Sequence, residues 1–594
     1  MRLIKIFSLL LILSVALGSC EALLDPLDDN HSTFERIYND APYAEGLLIT
    51  AYTRIPTNGL TYNDVSTDDA VSNVKLNNYL RMATGQWSAL NNPVSQWDNC
   101  NSAIMYLNLF LTVVDSVNWK WTNAEIRKLM TQRFTGEAYA MRGLFKYHLL
   151  QTVGGFSADG QLLGIPIYDT FIETPDEFNT PRSTFAQSIA SINADFDKAL
   201  TYLTVDDYKD VPNAAALPPG FTWVANYAYY NTVFGNVAMQ RISGRIVKAL
   251  KARVALLEAS PAFNPSNDLA PWQNAATLAA NVLNTIGGVA TGIDPNGHRW
   301  YVSTYIDALA LTTPPNNDQK EMIWRRPRGA SNTRESANFP PSLYGQGNLN
   351  PTQNLVDAFP MLNGYPITDA VNSGYVPGTP YTGRDPRLTL YILTNGSTYK
   401  STVIKTGIGG GVNAKDSIQT STRTGYYLKK LLREDVSMNP TGTSTKNHYE
   451  VHMRYTELFL IYAEAANEAY GPDGNSPNAT YSARQVIRAL RARAGIPLPD
   501  NYLAGITTTE AMRDLIRNER RLELCFEGNR FWDLRRWKAD LTEAAKGVNI
   551  NKAGTTFDYV PVEERAYDNT YMHYGPLPQN EILKFNALIQ NKGW

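Results

Sequence analysis

The stretch R-N-E-R-R-L-E-L-C-F-E-G-N-R-F-W-D-L-R-R-W-K, Arg517 to Lys538, decides how the rest of this 594-residue chain is read. With the residues just before it, its apolar positions Met512, Leu515, Ile516, Leu522 and Phe526 recur at helical spacing and form one stripe of an α-helix. Glu519 and Glu523 fall in that stripe and therefore face inward. A carboxylate removed from water needs a cation, and Arg517, Arg520, Arg521, Arg530, Arg535 and Arg536 are all within reach along the chain. Thr507-Thr508-Thr509-Glu510 supplies a capping box at the start, and Gly528 a stop or sharp bend. Paired acids and arginines can make an active site. Ion pairs away from water are more often structural, and a structural network is the expectation here.

Upstream, almost every long periodic segment is helical. The spacing predicts helices over Asp40 to Arg54, Pro93 to Val114, Arg133 to Gln151, Thr184 to Leu203, Ser243 to Ala259 and Gln273 to Ile286. Thr184 and Gln187 form a capping pair. Tyr455 to Tyr470 is rich in alanine, which lets a neighbour approach closely, and Tyr481 to Ala494 stops at Gly495 and Pro497. These last two read as an antiparallel hairpin of the tetratricopeptide kind, and the hairpins at 133–200 and 243–287 look similar without a strict 34-residue repeat.

Between about 290 and 450 the helical period gives way to Pro, Gly, Asn and Thr with short strand-like pieces, Met322 to Trp324 and Leu388 to Leu393. So long an irregular region usually carries function. It contains P-T-Q-N-L-V-D-A-F (Pro351 to Phe359), Asn363-Gly364 and R-D-P-R-L (Arg384 to Leu388). Together with the Arg517–Lys538 stretch, these strings resemble the signatures of the SusD/RagB family: E-R-R-x-E-L-x-F-E-G-x-R-x-x-D-L-x-R-W, then P-T-x-x-L-V-x-x-F, D-G and R-D-P-R. Asn363 stands where the family usually has Asp, and still suits a turn. The resemblance implies a mainly α, tetratricopeptide-like scaffold with long irregular loops and a few short strands. It also implies an outer-membrane lipoprotein that captures nutrients, mostly glycans, for a TonB-dependent transporter.

The N-terminus agrees. Arg2 and Lys5 precede an apolar run, Ile6 to Leu17, too short to span a bilayer comfortably. It ends in Leu17-Gly18-Ser19-Cys20, which resembles a lipobox, so Cys20 is expected to carry the lipid and to anchor the chain without spanning the membrane. The expected organisation is a signal peptide at 1–19, a lipidated tether at 20–35, an N-terminal helical region at 36–260 and a C-terminal region at 261–594, the last two packed as one unit. Acidic residues after Cys20 resemble the export signal of surface-exposed lipoproteins and point to the outer leaflet. Cys100 and Cys525 are expected to be buried free thiols.

A net charge of -2 with 19% charged residues removes any electrostatic case for nucleic acid. Aromatic residues make up 11% of the chain, with 34 Tyr and 11 Trp, a composition whose flat faces suit sugar rings and equally suit a core. No nucleophile motif, phosphate loop or dinucleotide fingerprint occurs, and no cofactor is implied. His448 and His452 sit in an alternating run expected to be a solvated strand face, not a metal site. Asp64, Asp68 and Asp69 are the carboxylates a glycosidase could use, although adjacent aspartates more often cap a helix or face water. Family members usually bind ligand with loops of the N-terminal third and the middle region, here Tyr62 to Trp97 and Asn296 to Arg328. These loops supply the candidate ligand residues Asp68, Asn73, Arg81, Trp87, Trp300 and Tyr301, with Asn63, Asp69 and Arg299 nearby. Trp223, Tyr227, Tyr229 and Tyr230 form another aromatic surface, while Trp97 and Trp324 read as core. The expected function is binding of an oligosaccharide without cleavage and its delivery to a SusC-like transporter. Peptide uptake on the same scaffold and a surface glycoside hydrolase are the competing readings.

Overall fold

The computed structural model describes residues 34–57, 63–119, 123–310 and 319–594. The signal peptide, Cys20, most of the tether and Tyr62 lie outside the described residues. The fold is mainly α, with small two-stranded sheets. Helices Ala41–Thr53, Trp97–Val113, Ala124–Val153, Phe185–Tyr202, Gly244–Ala259, Leu269–Asn284 and Tyr455–Tyr470 form a series in which each touches the next. Tyr455–Tyr470 also touches Ala483–Ala494 and Thr509–Leu524, so the end of the chain closes on the helices that precede it. One hydrophobic core runs through this series from Ile37 to Leu588.

Small residues set the tightest contacts. A Cβ on Gly143 would come within 2.8 Å of Phe196, and one on Gly136 within 2.6 Å of Leu203, so both glycines let Ala124–Val153 lie directly on Phe185–Tyr202. Ala463, Ala465 and Ala466 are fully buried, as are Ala275, Ala276, Ala279 and Ala280 on the helix they face. Capping accounts for the well-placed ends. Thr184 and Gln187 make the reciprocal box, and Ser482 and Gln485 make a second one that starts Ala483–Ala494 just inside its expected boundary.

Several expectations need correction. The Arg133 helix begins at Ala124, capped by Asn123, because its first turns pack Ile126 and Leu129 on a separate cluster with Phe221 and Tyr230. Thr508, not Thr507, caps Thr509–Leu524, its hydroxyl accepting from the Ala511 amide, and Glu510 lies in the first turn without closing a box. That helix ends at Leu524, ahead of Gly528, with Phe526 at φ 61° and Gly528 at φ 76° turning the chain. Leu388 to Tyr391 is helical rather than extended. Asp385 caps the Pro386–Tyr391 helix and Pro386 starts it, so R-D-P-R is a helix initiator and only Ile392–Leu393 is strand. Strand Lys446–Arg454 pairs antiparallel with Met322–Ser331, as the alternation suggested. Its histidines, however, are buried: His448 bonds Glu335, and His452 lies against Trp324 with ring centres 4.6 Å apart. The strand is covered on that face, not solvated. Cys100 and Cys525 are free and buried.

Candidate functional site

The Arg517–Lys538 stretch does bury Glu519 and Glu523, but the cations that meet these two come from elsewhere. Arg387 of R-D-P-R, with its side chain fully buried, donates to Glu519 (2.5 Å), Glu523 (2.9 Å) and Asp385 (2.7 Å). Arg493 donates to the other Glu523 oxygen at 2.8 Å. Burial alone would raise the Glu523 pKa, yet Arg493, Arg387 and Arg454 outweigh it and hold the carboxyl well below its usual range. The stretch's own arginines reach other acids. Arg520 pairs with Asp533, Arg536 with Asp533 and Glu464, and Arg521 and Arg530 with Asp68 and Asp69.

Asp68 and Asp69 therefore neither cap a helix nor face water. They hold the start of the Ala70–Ser72 strand against the signature helices. Thr352 of P-T-Q-N donates its hydroxyl to the Asp68 carbonyl at 2.5 Å and its amide to the Asp69 carbonyl at 2.9 Å, which aligns Leu349–Pro351 beside that strand. Arg565 donates to the Thr67 and Ala70 carbonyls and to Glu563. Glu563 in turn accepts from Arg423 at 2.7 Å.

This relay ends at an open cleft of about 500 Å³ lined by Asn73, Lys75, Leu80, Ile418, Gln419 and Arg423, with Asp416, Ser417, Ser421 and Glu563. Arg423 is fixed by its bonds to Glu563 and to the Ser72 and Val562 carbonyls. The Asn73 amide nitrogen donates to the Gln346 carbonyl (2.9 Å) and the Ser421 carbonyl (3.4 Å), tying one side of the cleft to the other. Two residues before Gln346 stands Tyr344, 53% exposed and at φ 63°, a left-handed conformation unusual for an aromatic residue. Its turn is stitched to the 411–421 segment by Asn413, whose side chain accepts from the Ser342 amide (3.1 Å) and donates to the Ser342 hydroxyl (2.7 Å). The Tyr344 ring does not itself line the cleft; it is an exposed aromatic face in the turn that leads to the Gln346–Asn73 bond.

Of the sequence candidates, the structure brings Asn73 to this cleft and places half-buried Arg81 one residue from its Leu80 wall. Asp68 is consumed by Arg521 and Arg530. Trp87 is buried against Phe531, Tyr567 and Trp594, and Trp300 and Tyr301 sit edge to face in the core that includes Tyr391. These three rings present no free face, because large aromatics gain most from leaving water. In the other aromatic patch, Tyr230 is buried and Lys128 lies 4.1 Å over the Trp223 ring. Tyr344, Lys75, Gln419, Arg423 and Glu563 went unseen in the sequence. Only the exposed Tyr344-Gly345 turn left a local sign.

Among the described residues no group of three or more His, Cys, Asp or Glu side chains is arranged to hold a metal ion, and no helix is long and apolar enough to cross a membrane. A family model described as the SusD family matches residues 312–594, and another, described as starch-binding and associating with the outer membrane, matches residues 33–233. The chain belongs to the SusD/RagB family. Its fold is that of SusD-like proteins of known structure. One from Bacteroides fragilis is 22% identical with a TM-score of 0.70, covering 96% of this chain and 100% of that one. A SusD-like carbohydrate-binding protein from the same organism is 20% identical with a TM-score of 0.65, covering 94% and 99%. A laminarin-binding SusD-like protein is 20% identical with a TM-score of 0.57, covering 94% and 100%. A curated SusD-like protein of Formosa agariphila is 38% identical over 165 residues, a match that spans 28% of this chain and 29% of that protein.

Proposed function

We propose that this SusD-like chain captures an oligosaccharide at the outer-membrane surface in the Asn73–Arg423 cleft and hands it to a TonB-dependent, SusC-like transporter. The cleft itself carries the reading. It is large enough for a few sugar rings and is lined by fixed polar groups, and the exposed Tyr344 ring stands two residues before the Gln346 carbonyl that Asn73 binds. The Tyr344 ring can lie against the C–H face of a sugar, while Lys75, Gln419 and the Asn73 carbonyl oxygen offer donors and acceptors to hydroxyls. Arg423 and Glu563, already bonded to each other, need no rearrangement to receive a ligand, which lowers the ordering entropy that weak sugar binding must overcome. Binding without bond cleavage is the expected activity. One family model's starch-binding description and the laminarin-binding relative both support a glycan as cargo.

Isothermal titration of the purified chain with starch- and laminarin-derived oligosaccharides, alongside an assay for reducing ends, tests the proposal. Heat without new reducing ends is expected for one class of glycan. Release of reducing ends, or silence for all glycans with heat for peptides, would replace it. Lipidation at Cys20 is proposed from its lipobox and is tested by metabolic labelling with palmitate, which should mark the wild type and not Cys20→Ser. Crosslinking on intact cells should recover a TonB-dependent transporter.

A further inference from the structure

A second cavity, of about 190 Å³, opens between the last turns of Ala124–Val153, the segment leading into Trp97–Val113 and the short helix Arg530–Arg536 of the signature. Gln151 and Thr152 follow His148 by three and four residues, which puts all three on one helix face and brings them to the cavity wall. Tyr79, Val94 and Trp532 give it an apolar side. Tyr79 lines this cavity and the next residue, Leu80, lines the Asn73–Arg423 cleft, so the two spaces flank one segment of chain.

Among the described lining residues no side chain carries a fixed charge. His148 is the one that could gain a proton, and burial, with Arg253 and His452 nearby, lowers its pKa to about 3, so the ring is neutral near pH 7. A neutral imidazole has one N–H to donate and one lone pair to accept. His148 is only 9% exposed, yet neither ring nitrogen has a hydrogen-bond partner among the described residues. The buried rings of His448 and His573, by contrast, each meet a protein oxygen. Nor are the His148 nitrogens sealed off in the way that Asn63 Oδ1 is. The Tyr79 hydroxyl, the Trp532 indole N–H, Gln151 Oε1 and Gln96 Nε2 are likewise unpartnered among the described residues, the other ends of the two glutamines being used on Tyr147 and Asn99. Buried polar groups without partners are unfavourable, and this set, with donors and acceptors around an apolar side, is satisfied by a ligand rich in hydroxyls. An ion finds nothing to pair with. Beyond His148, Gln151 and Trp532 lies a smaller space of about 40 Å³, where Arg253, Arg520 and Arg536 are already paired with Glu457, Asp533 and Glu464.

We propose that this cavity binds one neutral sugar ring, its hydroxyls toward His148, Gln151 and Gln96 and its C–H face toward Trp532. With less than half the volume of the cleft, it takes a single ring. The choice of a sugar rests on the glycan reading of the cleft; the uncharged, hydrogen-bonding character rests on the cavity alone. Ligand-observed NMR titration of the purified chain with glucose, galactose and mannose tests it, using wild type, His148→Phe, Gln151→Ala and Tyr344→Ala. At least one hexose should bind, with the same affinity at low and high salt. His148→Phe keeps the shape of a ring and removes both nitrogens, so it should weaken that hexose by about tenfold or more without lowering the melting temperature. Gln151→Ala, at a half-buried position, should weaken it by about threefold or more and serves if His148→Phe does not fold. Tyr344→Ala should leave hexose binding unchanged. Silence for all three hexoses, salt-dependent binding, a folded His148→Phe or Gln151→Ala protein that binds as wild type does, or loss of hexose binding in Tyr344→Ala would each overturn the proposal. Hexose binding that persists while oligosaccharides give no heat would uphold it and remove the cleft reading instead.

Discussion

Arg387 donates to three carboxylates from two segments, with no exposure of its side chain to water. Its removal leaves Asp385, Glu519 and Glu523 buried near too little positive charge, a situation that costs about 3–5 kcal/mol. Arg387→Ala is therefore expected to lower the free energy of unfolding in urea by about that amount or to prevent folding. Glu523→Ala should also lower stability while leaving ligand preference intact in the protein that folds; loss of glycan binding at full stability would move Glu523 into the binding site. Acid should act through the same kind of pair. Burial opposes ionisation of Glu464, but Arg536 overrides it and lowers its pKa to about 2, below the 4.5 of an ordinary glutamate. Because the folded value is the lower one, the pair's stabilisation is present above about pH 4.5 and is lost as pH falls towards 2, about 3 kcal/mol over that window. Asp64 runs the other way. Burial and neighbouring Asp69 raise its pKa to about 7, so its stabilisation is lost as pH rises towards 7. Stability curves of Glu464→Gln and Asp64→Asn should flatten on the acid and neutral sides respectively; parallel curves would reject both assignments.

At the scale of elements, the turn carrying Tyr344 is the part expected to govern affinity. Tyr344→Ala should weaken glycan binding by roughly 3–10-fold, equivalent to about 0.5–1.5 kcal/mol, without changing the melting temperature, since the ring is half in solvent. Asn413→Ala, which unties Ser342 and its turn from the 411–421 segment, should weaken binding through looser positioning of an intact ring. The scaffold helices were legible in the chain because their causes are local: Thr184 with Gln187 is a cap wherever it folds, and Tyr455–Tyr470 shows its alanines in order. Leu388 to Tyr391 misled because its β-forming composition outweighed Asp385-Pro386, the pair that starts the helix. The cleft was least legible. Asn73, the pair Gln419 and Arg423, and Glu563 come from three separate segments that become neighbours only in the fold, so no spacing announces them. Trp87, Trp300 and Tyr301 drew attention by type, and their size is the reason they are inside.

For the whole molecule, the division at residue 260 is not a seam in the core. Arg536 donates to the Ser260 hydroxyl, and Arg182 donates to the Ile589 carbonyl and Asn591 side chain. The 36–260 region expressed alone should lack a cooperative melting transition, and mixing it with 261–594 should not restore one quickly; a sharp independent transition would establish two autonomous units.

The Arg387 cluster also bears on how the chain reaches its final form. Glu519 and Glu523 lie 132 and 136 residues beyond Arg387, and Arg493 comes from a third segment. None of these charges can be sealed from water until all three segments have arrived, so a half-assembled molecule keeps its last helices hydrated and detached. Burial of the signature then works as a proofreading step: only a chain with every distant part in position can shut its interior.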